Sequence, residues 1–265
     1  MPRSFSETYD HIFFKVTERH PTYAMRILQW LTFSARPLSA AQVAEVVAID
    51  AARDPAFDYD EVMENPLEPL NICSTFVTIS DPAVEPRMIT LAHPSIRDYL
   101  YDKLRGNTCH DTMAKGCLKY LLQLPETSSY EVVQTFKLAR YCAEFWMYHA
   151  REAEEHMDST SQMAIQLFSI ENPAYLTWIR LYDPDMPEME PDFSKTMDQV
   201  ATPLYYAALL GLSNVVELLL GKGADINTTG GRHGNAVQAA MAEGHESVVK
   251  LLLDKGADVD AHSER

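Results

Sequence analysis

Residues 202–228 read TPLYYAALLGLSNVVELLLGKGADINT, and residues 235–261 read NAVQAAMAEGHESVVKLLLDKGADVDA. The second stretch restates the first. Gly211 answers Gly244, VVELLL answers VVKLLL, and GKGADIN answers DKGADVD, always 33 positions on. Within one copy, Leu204, Ala207 and Ala208 predict a short helix with a small packing face. Gly211 supplies a residue that can adopt the left-handed conformation ending it. Val215, Val216, Leu218, Leu219 and Leu220 then make a second helix too apolar to stand alone, so a neighbouring copy must cover it. Gly223 and Asp225 turn the chain outward.

This pattern resembles the ankyrin repeat, whose period and TPLHxAA signature it approaches. Two departures stand out. Tyr205 and Gln238 occupy the place of the family's turn-bracing histidine, and the second copy has NA for TP, so looser turns are expected. The resemblance implies a protein partner on the β-turn and first-helix face. That places candidate contacts at Gln199, Leu209, Leu210, Arg232, Ala242 and Glu243, with Tyr205 as a candidate exposed aromatic. Two copies are fewer than a free stack needs. Helices upstream are expected to cap the N-terminal side. Nothing polar closes the C-terminal side, which predicts a longer natural stack or a partner at that end.

Upstream, the first 48 residues read as helices. Ser4 and Glu7 have capping-box spacing, and so do Ser39 and Gln42. An acidic stretch with two prolines follows, FDYDEVMENPLEPLN at 57–71. Two β-type runs come next, STFVTIS (74–80) and RMITLAH (87–93), around a turn-rich DPAVEP. PSIRDYLYDKL then predicts a helix with Ser95 as its N-cap. Helix, helix, short helix, hairpin, helix is the order of a winged-helix domain. Residues 107–182 read as further helices, including one stretch, 130–155, without an internal break signal. Residues 183–198 are acidic and proline-rich, which reads as a linker or an extended strap. The expected architecture is therefore mainly α: a winged-helix domain at 1–106, a helical connector at 107–182, the linker, and two ankyrin repeats at 199–265.

In that setting YAMRILQWLTFSARPLSAAQVAEVVAID, ICSTFVTIS and LAHPSIRDYL resemble the winged-helix domain that follows the NACHT-type NTPase in fungal NLR-like receptors of the STAND class. ARYCAEFWMYHARE and TWIRLYDPD resemble the segment joining it to the repeats. The resemblance implies that the repeats sense a partner, that the winged helix couples this to an NTPase, and that His93 contacts the β-phosphate of bound ADP. No GxxxxGK[ST] loop occurs in these residues. For this chain alone His93 therefore reads as a half-buried strand-end histidine that helps start the next helix. In a form carrying the NTPase, it reads as the nucleotide contact.

Composition excludes other classes. A formal charge of −16 opposes nucleic acid and anionic membranes, which both demand a basic face. Where a recognition helix would lie stand Asp58, Asp60, Glu61, Glu64 and Glu68 with no lysine or arginine, so a winged-helix transcription regulator is the weakest alternative. A free-standing ankyrin adaptor without an NTPase is the stronger one. No signal-type h-region and no membrane-length apolar run occur, which places the expectation in the cytoplasm. The four cysteines show no CxxC pairing and read as reduced and buried. Cys109, His110 and Cys117 lack a second ligand pair with zinc spacing, and the acidic run at 183–192 lacks EF-hand spacing, so no metal or other cofactor is expected. Ser95 near His93 has no oriented third group or oxyanion site, and no enzyme activity is expected.

Overall fold

The computed structural model describes residues 3–80, 83–104, 106–126, 129–153 and 157–261. The chain divides into two compact units. The first comprises residues 1–120, 136–138 and 145–156; the second comprises 121–135, 139–144 and 157–265.

The first unit opens with α1 (Arg3–Arg19) and α2 (Pro21–Phe33). The expected Ser4–Glu7 capping box falls on the Ser4 side chain, which lies outside the described residues. Then come β1 (Leu38–Ser39), α3 (Ala40–Val46), a 3-10 turn (Tyr59–Glu61), α4 (Glu68–Ile72), β2 (Val77–Ile79), β3 (Met88–Leu91) and α5 (Pro94–Leu104). The Ser39–Gln42 capping box forms as its spacing predicts. Among the described residues three strands pair in one sheet where the sequence suggested two. Leu38 and Ser39 pair antiparallel with Ile89 and Met88, giving the order β1-β3-β2. A two-residue strand leaves too little alternation to be read from sequence.

The core of this unit is formed by Ile27, Leu28, Phe33, Val43, Phe76, Ile89 and Leu100. Rings of Tyr9, Phe76 and Tyr99 dock α1 onto it, and Tyr99 donates to Asp10, which Lys103 also pairs. Helix α6 (Gly106–Leu122) adds Met113, Cys117 and Leu118 to the core.

The stretch read as one helix over 130–155 is two, α7 (Glu131–Thr135) and α8 (Ala139–Glu152). The break has a cause far off in sequence. The buried carboxylate of Glu45 accepts the N–H groups of Lys137 (2.7 Å) and Leu138 (2.9 Å) and the hydroxyl of Tyr120 (2.8 Å). It thus satisfies free amides at the start of α8. Burial pushes the Glu45 pKa up, and the two amides and the phenol pull against that.

In the second unit, α9 (Met157–Leu167) and α10 (Pro173–Leu181) precede two helix pairs: α11 (Pro203–Leu209) with α12 (Ser213–Gly221), and α13 (Ala236–Ala242) with α14 (Glu246–Asp254). Helix α11 stacks on α13 and α12 on α14, while α9 lies along α12. On α10, Tyr175 and Trp178 set their rings against Tyr206. The upstream helices therefore cover the N-terminal side of the stack, as expected. Gly211 adopts φ of +71°, the left-handed geometry its position called for, and Gly223, in the outward turn, adopts +89°.

Of the two readings of residues 183–198, linker and strap, the structure has the strap. Asp185, Pro191 and Phe193 are buried, so the segment is a strap packed on the repeats. Among the described residues, no helix is long and apolar enough to cross a membrane.

Candidate functional site

Two places carry the candidate residues, one in each unit. In the first unit His93 stands at the junction of β3 and α5. Its ring is exposed, not half-buried as the sequence suggested, because it follows the strand end and points away from the core. It also takes over the capping role expected of Ser95. The Ser95 backbone N–H donates to His93 Nδ1 at 3.1 Å, and the Ser95 hydroxyl lies 2.7 Å from the same nitrogen. Ser95 is the second residue of α5, one position too far along to cap it. An Nδ1 that accepts an N–H is unprotonated, so the neutral ring carries its hydrogen on Nε2. The hydroxyl relay then runs one way: Tyr9 O–H to Ser95 Oγ (2.7 Å), and Ser95 O–H to His93 Nδ1.

His93 lines a cavity of about 370 Å³ whose walls include Leu31, Pro37, Ile89, Arg36 and Arg97, with no carboxylate among its lining residues. In a chain of charge −16, this is a locally cationic recess. Arg36 Nη1 is steadied by the carbonyl of Pro37 (3.1 Å) and by Gln42 Oε1 (3.3 Å). The ring Nε2–H and two guanidinium groups are donors suited to an anion.

In the second unit the expected contact face is only partly surface. Tyr205 is 1% exposed and Leu209 5% exposed, which removes both from a docking face. They are buried because the stack closes over α11 and because the strap lies against Tyr205. Leu210 is half-buried; Gln199, Arg232, Ala242 and Glu243 are exposed. Gln199 folds back, its Oε1 accepting from the Thr196 N–H at 2.9 Å.

Burial gives Tyr205 a different task. Its hydroxyl donates to Asp185 Oδ1 (2.6 Å) and accepts the His233 N–H (3.2 Å), while Asp185 Oδ2 accepts the Arg232 N–H (2.9 Å). Strap, first helix and the hairpin at 229–235 are locked through one phenol and one carboxylate. Both the burial and the nearby carboxylate drive the Tyr205 pKa upward. Tyr206 repeats the theme, with Asp183 at 3.2 Å and Lys195 paired to the same aspartate. In the second repeat Gln238 Nε2 donates to Val259 O at 3.0 Å. The turns expected to be loose are therefore braced, by a phenol and an amide. Sequence reasoning missed Asp183 and Asp185. The available signal was two adjacent tyrosines at the bracing position with DPD some twenty residues before.

The cysteines are free and buried, and burial pushes the Cys73 thiol up to about 12, which makes it inert. His110 pairs with His149, Nδ1 to Nδ1 at 2.9 Å, rather than with a cysteine. Among the described residues no cluster of metal-ligating side chains forms.

Residues 180–263 match the family profile described as ankyrin repeats (3 copies). Ankyrin repeats are present. The match starts at 180, upstream of the expected 199, and so takes in the strap that braces the first repeat. Among curated proteins, the azaphilone pigments biosynthesis cluster protein L of Monascus ruber is 30% identical over 273 residues, spanning 92% of this chain. The chain covers 58% of the length of that relative. No solved structure matches.

Proposed function

We propose that the chain is a non-catalytic, cytoplasmic regulatory module. Its ankyrin repeats take a protein partner, and its first unit is a winged-helix lid for a NACHT-type NTPase carried elsewhere. Ankyrin repeats generally mediate protein binding, and the exposed Arg232, Ala242 and Glu243 are where this partner would touch. The lid reading rests on the helix and strand order with the sheet β1-β3-β2, and above all on the recess of His93, Arg36 and Arg97. In this reading His93, its ring held by Ser95, would donate from Nε2–H to the terminal phosphate of ADP. The two arginines share its charge. Loss of that contact opens the lid, and the repeats bias the same equilibrium through differential contacts.

The test has two arms. In this chain, pyrophosphate should shift the NMR signals of His93, Arg36 and Arg97. In a form that includes the NTPase, His93→Ala and Arg36→Ala should each lower the fraction of protein purified with ADP. Undisturbed signals together with unchanged ADP occupancy would leave only the ankyrin adaptor.

A further inference from the structure

His93, just before α5, and Arg97 and Tyr101 within it follow one another at four-residue spacing, so they rise along one face of that helix. Tyr101 is 54% exposed, and its ring leans on Phe33 with centroids 5.4 Å apart. Phe33 meets His110 edge-on at 5.2 Å, and His110 meets Tyr148 edge-on at 5.7 Å. Phe33 and His110 are buried and make a floor, while Tyr101 and the 40% exposed Tyr148 stand beside it in solvent. All of these residues belong to the first unit. The ring surface adjoins the cationic recess. Phe33 closes α2 just before the recess residues Ser34 and Arg36, and the Arg36 guanidinium lies 5.8 Å from the centre of the Phe145 ring.

This strip is graded in charge. At the recess end are His93, Arg36 and Arg97, with no carboxylate among the lining residues. At the other end Glu152 stands by Tyr148: burial and then this carboxylate raise the phenol's pKa, and Arg97 lowers it. The α5 acids Asp98 and Asp102 each follow a strip residue, which turns them about 100° round the helix from it. Over a chain of charge −16, an acidic partner is repelled in general and steered to the recess in particular.

We propose that this strip docks an acidic, extended segment of a partner protein. A glutamate or aspartate carboxylate seats in the recess, and an apolar side chain of the same segment lies between Tyr101 and Tyr148. Charge complementarity selects the occupant, and tyrosine and arginine are the side chains that dominate binding energy at protein interfaces. His93 and Tyr101 are about 12 Å apart along the helix, a span that about four extended residues cover. Glu152 sets the direction, because a carboxylate at that end would meet like charge. The inference goes beyond the nucleotide reading and stands without it; a phosphate in the recess would compete with the segment.

The probe is a capped hexapeptide with two glutamates at its start and a phenylalanine four residues beyond the second, set against its glutamine counterpart. In an NMR titration of the chain, the glutamate peptide should move the signals of His93, Arg97 and Tyr101, and the glutamine peptide should not. Tyr101→Ala and Arg97→Gln should each weaken binding about fivefold or more, and added salt should weaken it further. Both side chains are exposed, so the variants should keep the fold, which their unshifted signals elsewhere would verify. A glutamate peptide that moves none of these signals, a glutamine peptide that binds as well, or an affinity untouched by Tyr101→Ala overturns the proposal. Signals that answer to pyrophosphate but not to the peptide overturn it and leave the nucleotide reading in place.

Discussion

Acid should destabilise the first unit through His149. The side chain is fully buried on α8, with its Nδ1 against that of His110 and its ring near the indole of Trp30. Burial, with the neighbouring His110 adding to it, lowers its pKa from 6.5 to about 3. A base whose pKa falls on folding binds protons more readily when unfolded. Stability is therefore complete above pH 6.5 and declines as pH drops toward the folded value. At pH 5 the folded ring is still neutral, and the unfolded one is 1.5 pH units below its own pKa. At about 1.36 kcal/mol per unit, that gives a loss of about 2 kcal/mol. A folded value of 4 would give the same figure, so the result does not depend on that number. His110, also lowered by burial, adds loss of the same sign. Glu45 works the other way, since its raised pKa makes the folded state take up the proton before the unfolded state as pH falls. Comparison with His149→Phe removes the Glu45 background and isolates the His149–His110 pair. Urea unfolding at pH 7 and pH 5 should cost the wild type about 2 kcal/mol more than the variant. An NMR titration should find the His149 ring neutral at pH 5. Equal losses in the two proteins would refute the reasoning.

Three further outcomes follow from the same contacts. Tyr205→Phe leaves the Asp185 carboxylate and the His233 N–H short of a partner; it should cost about 1–3 kcal/mol and speed amide exchange at His233. Glu45→Ala uncaps the start of α8 inside the protein. A loss of about 1–3 kcal/mol in chemical unfolding is expected, and an unchanged midpoint would mean that water replaces the carboxylate. Gly211→Ala forces a side chain to φ +71° against the His245 ring. The backbone alone costs about 1–2 kcal/mol, and His245→Ala should recover the steric part in a thermal melt but not the backbone part.

The sequence was most legible where a rule is local or repeated. The 33-residue translation located α11 through α14 and the left-handed Gly211 with its counterpart Gly244. The Ser39–Gln42 spacing located one helix start. What escaped depends on partners distant in the chain. The gap between α7 and α8 is held by Glu45, some ninety residues earlier, and β1 exists only because Ile89 and Met88 are beside it. Tyr205 looked like a surface aromatic because its partners, Asp185 and the hairpin of the next repeat, belong to no local pattern. The stretch 183–198 read as linker or strap because its charge is visible in the sequence, and the phenols that neutralise its cost of burial are not. His93 was placed correctly beside α5, but which atom did the capping was a matter of geometry.

The Tyr205–Asp185 contact bears on how this array could have been copied or cut. A self-sufficient repeat is a unit of duplication, because its turn is held by its own residues. Here the hairpin opening the second repeat is fastened by a tyrosine from the first and an aspartate from outside both. A gene fragment that carries the repeats without the strap would inherit a stack whose first joint is unpinned. Boundaries drawn for expression, domain swapping or grafting therefore belong upstream of Asp183.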